Sequence, residues 1–558
     1  MPLRSRRKLI KSPGQQLLLL GLAGLVGGVL IMLALSWASG GSKANAAVDP
    51  ATKTVTLTLS QEPPNLDSSL TADQVSGMVL GQVMEGLLRF DAHNHLAPGV
   101  AEKWEITKDG ATFWLRPDAK WSDGKPVTAH DFVFAWRRTV DPKSASEYAN
   151  IMFGIRNAEA IIAGKLPPTA LGVRAVNDRE LQVEFEHPIP YFAQLMAFNV
   201  FYPIRQDFFE STHGRYASSA DTLLYNGPYK MTLWVHGAHI RMEKNPYYWD
   251  RKRIQVNVLD FPYITTDSSA IMNLFRDGKI ALAGLAEENL QEAQLLRWNI
   301  KSFNDGGLFY VEFNHRPGHI TRNLYFRKAI QYTLSSTEEV NKVIKIPGYL
   351  PGKSLFPGYL NGVHGKFRQE FPVEQITPDP VKARHYLELA KKQLGLKEFP
   401  PIMLLCGDVD LANRIAEYYQ STLKRQLGLD IRIDKQTFKQ RLAKTLAGDF
   451  DMVLGGWGPD YSDPLTFGDL FDSQNVNNRG RYNNPALDAQ VEIARNSNDP
   501  ATRMEAFAKI QKIIVDQAVI LPEYERTRLY VVNPAITGVV RRAVGPDPDL
   551  TNLRIVGK

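Results

Sequence analysis

Residues 449–467 read Asp-Phe-Asp-Met-Val-Leu-Gly-Gly-Trp-Gly-Pro-Asp-Tyr-Ser-Asp-Pro-Leu-Thr-Phe. Phe450, Met452 and Leu454 alternate with Asp451 and Val453, the two-residue period of a strand. Gly455, Gly456, Gly458 and Pro459 then break the run, and bare glycine backbone lets another chain come close. Trp457 stands in the break and Asp460 follows it. Asp463-Pro464 has the form of a helix start, with Asp463 as N-cap and Pro464 at the first helical position. A strand end, a bare backbone, an aromatic wall and a carboxylate together suit an amine-bearing ligand. The same residues also read as a loop whose aspartates cap turns.

This stretch closes a regular alternation. Helical periodicity over 380–394, 411–427 and 439–446 is interleaved with strand patterns at 402–406, 430–435 and 451–454. That order predicts an α/β fold with a mainly parallel sheet and right-handed crossovers. Upstream, Thr54 to Leu59 reads as a strand. Thr71 and Gln74 have capping-box spacing before a helix running to about Leu88, and Thr128 and Asp131 open another through about Arg138. At 558 residues the chain exceeds what one core serves, so two or more lobes are expected.

The first 46 residues are a targeting segment. Arg4, Arg6, Arg7, Lys8 and Lys11 precede an uncharged apolar run over 17–37, and Ala44-Asn45-Ala46 offers a small-residue cleavage signature. The run fits a cleaved signal peptide or a retained anchor. Either places the chain from about Ala47 onward outside the cytoplasm, because the positive charges stay inside. These residues also hold six Lys/Arg and no acid, so the net charge of +7 leaves the rest of the chain near neutrality, and no nucleic-acid partner is expected. Cys406, the single cysteine, sits in an apolar run and reads as a small core residue.

Catalytic signatures are missing. There is no Gly-x-Ser-x-Gly, no His-Glu-x-x-His and no cysteine pair. Residues 348–354 resemble a phosphate loop but are one residue short and lead into no helix pattern. His93/His95 and His236/His239 lie in turns without a third ligand nearby. Glu287/Glu288 and Asp547/Asp549 read as solvated or turn carboxylates. No cofactor or metal is expected, and an enzyme is disfavoured.

Several stretches recur in a family order. They are Glu85-Gly86-Leu87-Leu88, Ala97 to Glu102, Leu115 to Ala129, Asp131-Phe132-Val133, Asp141-Pro142, Asn226-Gly227-Pro228-Tyr229, Asn245-Pro246-Tyr247-Tyr248-Trp249, and Gly456-Trp457 with Asp460-Tyr461 and Pro464. In these the chain resembles the extracytoplasmic solute-binding proteins of peptide ABC importers, the oligopeptide-binding family (bacterial extracellular solute-binding family 5). The resemblance implies the two-lobed periplasmic-binding-protein fold, type II, of the large peptide-binding subgroup, with a hinge and an extra subdomain. The implied division puts the first lobe at 47–84 and 206–278, its extra subdomain at 85–205, the second lobe at 279–522 and a return to the first lobe at 523–558. A short peptide would lie extended between the lobes as an added strand, and a membrane permease would be the partner of a monomeric receptor.

Carried over by position, Asp460 would bind the peptide ammonium. Backbone at Gly456, Trp457 and Gly458 would pair with the peptide from one side, and Ala72, Asp73 and Gln74 from the other. Tyr148, Phe438 and Tyr524 would contact it. Basic positions of the family appear here as Ala412, Thr445 and Leu454, with Arg414, Arg441 or Lys444 as replacements. Alternatives within the resemblance are a nickel chelate, haem or oligosaccharide binder, or an anchored peptide sensor.

Overall fold

The computed structural model describes residues 46–71 and 73–556. Residues 1–45 of the 1–46 leader, Ala72 and residues 557–558 lie outside them. Among the described residues no helix is long and apolar enough to cross a membrane.

The first lobe carries two larger sheets, beside the small ladders Leu88–Phe90 with Leu96–Pro98 and Ile536–Thr537 with Arg554–Ile555. One has five strands in the order Val48–Asp49, Thr54–Leu59, Val258–Ile264, His239–Lys244 and Tyr229–Val235, antiparallel except where Thr54–Leu59 meets Val258–Ile264. The other is antiparallel with four, Ala101–Ile106, Gly110–Leu115, Glu180–Glu184 and Val173–Asn177. Three of the stretches carrying the family resemblance, at 85–88, 226–229 and 245–249, meet around the buried Glu85. Its carboxylate accepts from Tyr248 Oη (2.5 Å) and Trp249 Nε1 (2.7 Å), and its backbone is clamped by the Asn226 carboxamide at 3.0 and 2.8 Å. These first-lobe motifs therefore hold the lobe together, in contrast to Trp457, Asp460 and Tyr461 of the last stretch.

The same clamp shortens the first helix. It spans Gln74–Val83, not 74–88, because Gly227 N donates to Val83 O (3.0 Å) and Met84 turns extended. Its cap is Asp73, which accepts from Val75 N and Ser76 N at 3.0 and 2.9 Å. Thr71 instead turns its hydroxyl back to Asp67 O (2.8 Å). The helix Ala129–Val140 does open on the expected Thr128/Asp131 box, and Asp131 also accepts from Trp121 Nε1 (3.0 Å).

The third sheet has seven strands and is mixed. Ile402–Gly407 lies parallel to Ile431–Gln436 and to Met452–Trp457, as the alternation predicts. The expected parallel sheet stops there. Two 13-residue strands, Lys301–Phe313 and Ile520–Val532, join it antiparallel, followed by Leu282–Leu285 at the edge, and Leu350–Pro351 pairs with Ile520–Val532. Cys406 is fully buried in this sheet. The long strands run toward the first lobe, where Ala281 N donates to Thr56 O (2.8 Å). Their register slips at 305–307, where Gly306 takes φ +74° and Asp305 accepts from Arg526 Nε (2.6 Å) and Arg528 Nε (2.7 Å).

The lobes are closed on each other. Tyr191 stacks on Tyr461 with centroids 4.6 Å apart. The Gln194 side chain brackets Ser462, accepting from its N–H (2.7 Å) and donating to its carbonyl (3.4 Å). Arg528 reaches Gln74 Oε1 at 3.3 Å.

Candidate functional site

Asp460 stands at this closure. The strand Met452–Trp457 delivers it, and Thr466 fixes the turn: its hydroxyl oxygen accepts from Asp460 N–H (3.0 Å) and Trp457 Nε1 (3.5 Å). The carboxylate accepts one side-chain hydrogen bond, from Tyr148 Oη across the lobe junction (3.1 Å), and has no cationic partner among the described residues. Burial pushes its carboxyl up to about 7, against the pull of the Tyr148 hydrogen bond and with a smaller push from the Asp469 charge. A cavity of about 510 Å³ opens beside it, walled by Tyr148, Tyr191, Trp457, Asp460 and Tyr461 among others. That volume lies in the usual range for ligand sites. Asp460, Trp457 and Tyr148 are thus brought together as the sequence suggests.

The strand does not break at Gly455. It continues to Trp457 because Leu308 and Phe309 pair with Trp457 and Gly456. The need for glycine at 456 comes from inside the protein, since a Cβ there would lie 2.8 Å from the Phe309 ring and 2.9 Å from Leu308 O. Gly458 faces the other lobe, where a Cβ would come 3.1 Å from Gln74 Nε2. The opposite edge of the strand is paired only through Met452 and Val453, with Leu404 and Leu405. Beyond Val453 that edge carries no described strand.

The other expected contacts lie elsewhere. Asp73 is occupied as a helix cap, while Gln74 faces Gly458 and Arg528. Tyr524 is buried against Phe309, stacked at 4.7 Å, and outside the cavity wall. It belongs to a strand that stays in the seven-stranded sheet along its whole length. Phe438 is exposed at the start of the helix Phe438–Ala447, away from that wall. Asp463 accepts from Leu465 N (3.0 Å), but Pro464, not Asp463, directly precedes the helix Leu465–Gly468. The main partner of Asp463 is Arg503, held by two 2.8 Å hydrogen bonds in a buried pair.

Of the three basic replacements, two are engaged. Arg414 pairs with Glu287, and Lys444 with Asp434 and Asp449. Arg441 has no carboxylate partner among the described residues. Its guanidinium lies 5.4 Å from the Phe438 ring centroid and donates to Leu454 O at 3.3 Å, beside the position where the family basic group is missing. Burial and the charge of Arg479 both hold its ionisation below the usual guanidinium range. Arg479 likewise forms no ion pair among the described residues. Sequence reading missed it, since a lone arginine in Asn-Asn-Arg-Gly carries no pattern. The second histidine pair is accounted for by carboxylates: His236, in the turn, meets Glu62 at 2.9 Å, and His239, which starts the strand His239–Lys244, meets Asp260 at 2.7 Å.

Two lobes closing on a cavity with a carboxylate at the junction define a solute-binding protein. Residues 95–479 match the family model of the bacterial extracellular solute-binding proteins, family 5 (Middle), and the chain belongs to that family. It is 30% identical to the oligopeptide-binding protein OppA of Bacillus subtilis, over 92% of this chain and 95% of that protein. OppA of Listeria monocytogenes bound to peptide superposes with a TM-score of 0.83 at 29% identity, covering 91% of this chain and 99% of that one. The unliganded open form of the murein tripeptide binding protein MppA gives 0.68 at 28% identity, covering 92% and 99%. The lower score for an open form agrees with the closed lobes seen here.

Proposed function

We propose that this chain is an exported, non-catalytic receptor that binds short peptides between its lobes and delivers them, as a monomer, to the permease of an ABC importer. The observation that carries this reading is the Asp460 carboxylate, partly buried at the lobe junction, facing a cavity and lacking a cation among the described residues. A peptide ammonium supplies that cation. The free edge beyond Val453 offers main-chain groups to an added strand, which holds many sequences because it reads backbone. Arg441 and Arg479 offer guanidinium groups for the peptide carboxylate. From Leu454 to Trp457 the strand rises about 10 Å at ~3.3 Å per residue, close to the length of an extended tripeptide. Ligand touching both lobes favours the closed form, and that form is the one a permease would recognise.

Calorimetry with trialanine tests the assignment. N-acetylation of the peptide, or Asp460→Asn, weakens binding by at least about tenfold, a floor set below the roughly 30-fold (about 2 kcal/mol) that marks the lower end of what losing one partner of a buried charge pair costs. Arg441→Met weakens the free acid more than the C-terminal amide. Equal affinities for free and acetylated trialanine refute the ammonium seat. An equal loss for acid and amide refutes the role of Arg441.

A further inference from the structure

Away from the lobe junction, the second lobe buries two glutamates without a cation. Glu339 opens the π-helical turn Glu339–Ile344 and is 1% exposed, and Glu523 lies in the strand Ile520–Val532 and is 2% exposed. Neither forms an ion pair among the described residues. One donor serves both. Tyr419 Oη, from the helix Asp410–Leu427, donates to Glu339 Oε2 and also reaches Glu523, but a hydroxyl has a single proton to give. Each carboxylate keeps one oxygen, Oε1 in both, that is shut off from solvent and has no hydrogen-bond partner. The charges around them are engaged elsewhere. On the same turn Glu338 pairs with Lys342 at 3.0 Å and accepts from Tyr418 Oη at 3.3 Å, and Arg425 acts by charge on Glu338 and Tyr418. On the strand, Glu525 is held by Arg368 at 2.6 Å, and Tyr524 meets Tyr349 with ring centroids 5.3 Å apart.

Two ionised carboxylates do not fit such a place, because burial and mutual repulsion both penalise the second charge. We propose that Glu339 and Glu523 share a proton between their unpartnered oxygens, and that this acid–carboxylate bond is a pH-sensitive clip fastening residues 335–352 to the strand Ile520–Val532. One carboxyl donates its O–H and the other accepts, so each orphan oxygen gains its partner. The clip sits where the segment returns to the strand. Ser336 Oγ donates to Gly352 O (3.0 Å), Gly352 N donates to Glu523 O (3.0 Å), and Leu350–Pro351 pairs with Glu525 and Tyr524. Burial raises both carboxyls, and the Glu339 charge raises Glu523 further. An acid raised in the folded state contributes its full stability below the unfolded carboxylate pKa of about 4.3 and loses it as pH climbs through the folded value. Alkali therefore sends the shared proton to solvent, leaves two buried anions and releases the segment. Tyr524 stacks on Phe309, which pairs with Gly456, so the sheet carrying Trp457 loses a support at the same time.

The experiment is amide hydrogen exchange, read by mass spectrometry, on the purified full chain and its Glu523→Gln variant at matched pH from 6 to 9, so that intrinsic exchange rates cancel. The substitution gives Glu339 a permanent amide donor, and Glu339 then ionises without a shared proton. Relative to the variant, opening of residues 340–352 in the wild type increases about tenfold per pH unit until the pair has lost its proton. Glu339→Gln is the reciprocal change, gives the same result and serves should the first variant fold poorly. The infrared difference spectrum, wild type minus variant at pH 7.5, contains the carbonyl band of a protonated carboxylic acid. A wild-type-to-variant ratio that stays level across this range, or a difference spectrum without that band, overturns the shared proton. Slower exchange on adding calcium or magnesium, reversed by a chelator, overturns it in favour of a bound cation.

Discussion

In the proposed peptide site Asp460 would grip an ammonium only as a carboxylate, so peptide affinity would carry the proton equilibrium of the empty site. Burial places that equilibrium at about 7, while a bound ammonium holds the carboxyl ionised. The sign follows directly. Below pH 7 the empty protein is protonated at Asp460, binding must expel that proton, and affinity falls as pH falls. At pH 7.5 about three-quarters of empty sites are ionised and at pH 5 about one in a hundred, so trialanine binds about 75-fold more weakly at pH 5, roughly 2.5 kcal/mol. Above pH ~8 the peptide amine itself loses its proton, which places the optimum between the two values. The assay is calorimetry from pH 5 to 9 in buffers of different ionisation enthalpy, which also counts protons. Nearly one is released per peptide at pH 6. Asp460→Asn flattens the acidic limb. An affinity that is level or rising toward pH 5, or the same slope in the Asp460→Asn protein, would refute the reasoning.

Three further outcomes follow from contacts already described. Tyr148→Phe removes the hydrogen bond that lowers the Asp460 carboxyl, so the acidic limb of the same pH profile moves to higher pH; an unmoved limb contradicts this. Gly456→Ala forces the Leu308–Phe309 pairing apart and costs about 1–3 kcal/mol of stability, read as a lower thermal midpoint. Arg503→Met leaves Asp463 buried without its partner and costs about 3–5 kcal/mol in chemical denaturation. A near-neutral result at Arg503 would mean Asp463 reaches water or takes up a proton freely.

Local signals in the sequence translated well where the partner was near in the chain. Thr128 with Asp131 marked a helix start, and the alternation over 380–454 marked three parallel strands. What escaped was set by distant residues. Nothing in 449–467 announces that Leu308 and Phe309 lie alongside, so the glycines looked like a break when they were a continuing strand. Asp463 looked like a plain cap because Arg503 is 40 residues away. The helix expected to run to Leu88 stopped at Val83 through a hydrogen bond from Gly227. At the site, Asp460, Trp457 and Tyr148 were legible through the family resemblance. The acidic cavity was not, because its wall is assembled from four separate stretches, around residues 148–159, 191, 457–477 and 488–495.

The long strands Lys301–Phe313 and Ile520–Val532 carry one more consequence. Their ladder bonds continue on both sides of the slip at 305–307, and Asp305 with Arg526 and Arg528 pins the slip itself. These two stretches of backbone, which run within one sheet toward the first lobe, therefore hold no slack. For the receptor proposed above, opening would draw on a few torsions and the twist of two paired strands, which would return the jaws to one alignment after each release. A protease searching here for an extended, unpaired linker would find none to cut.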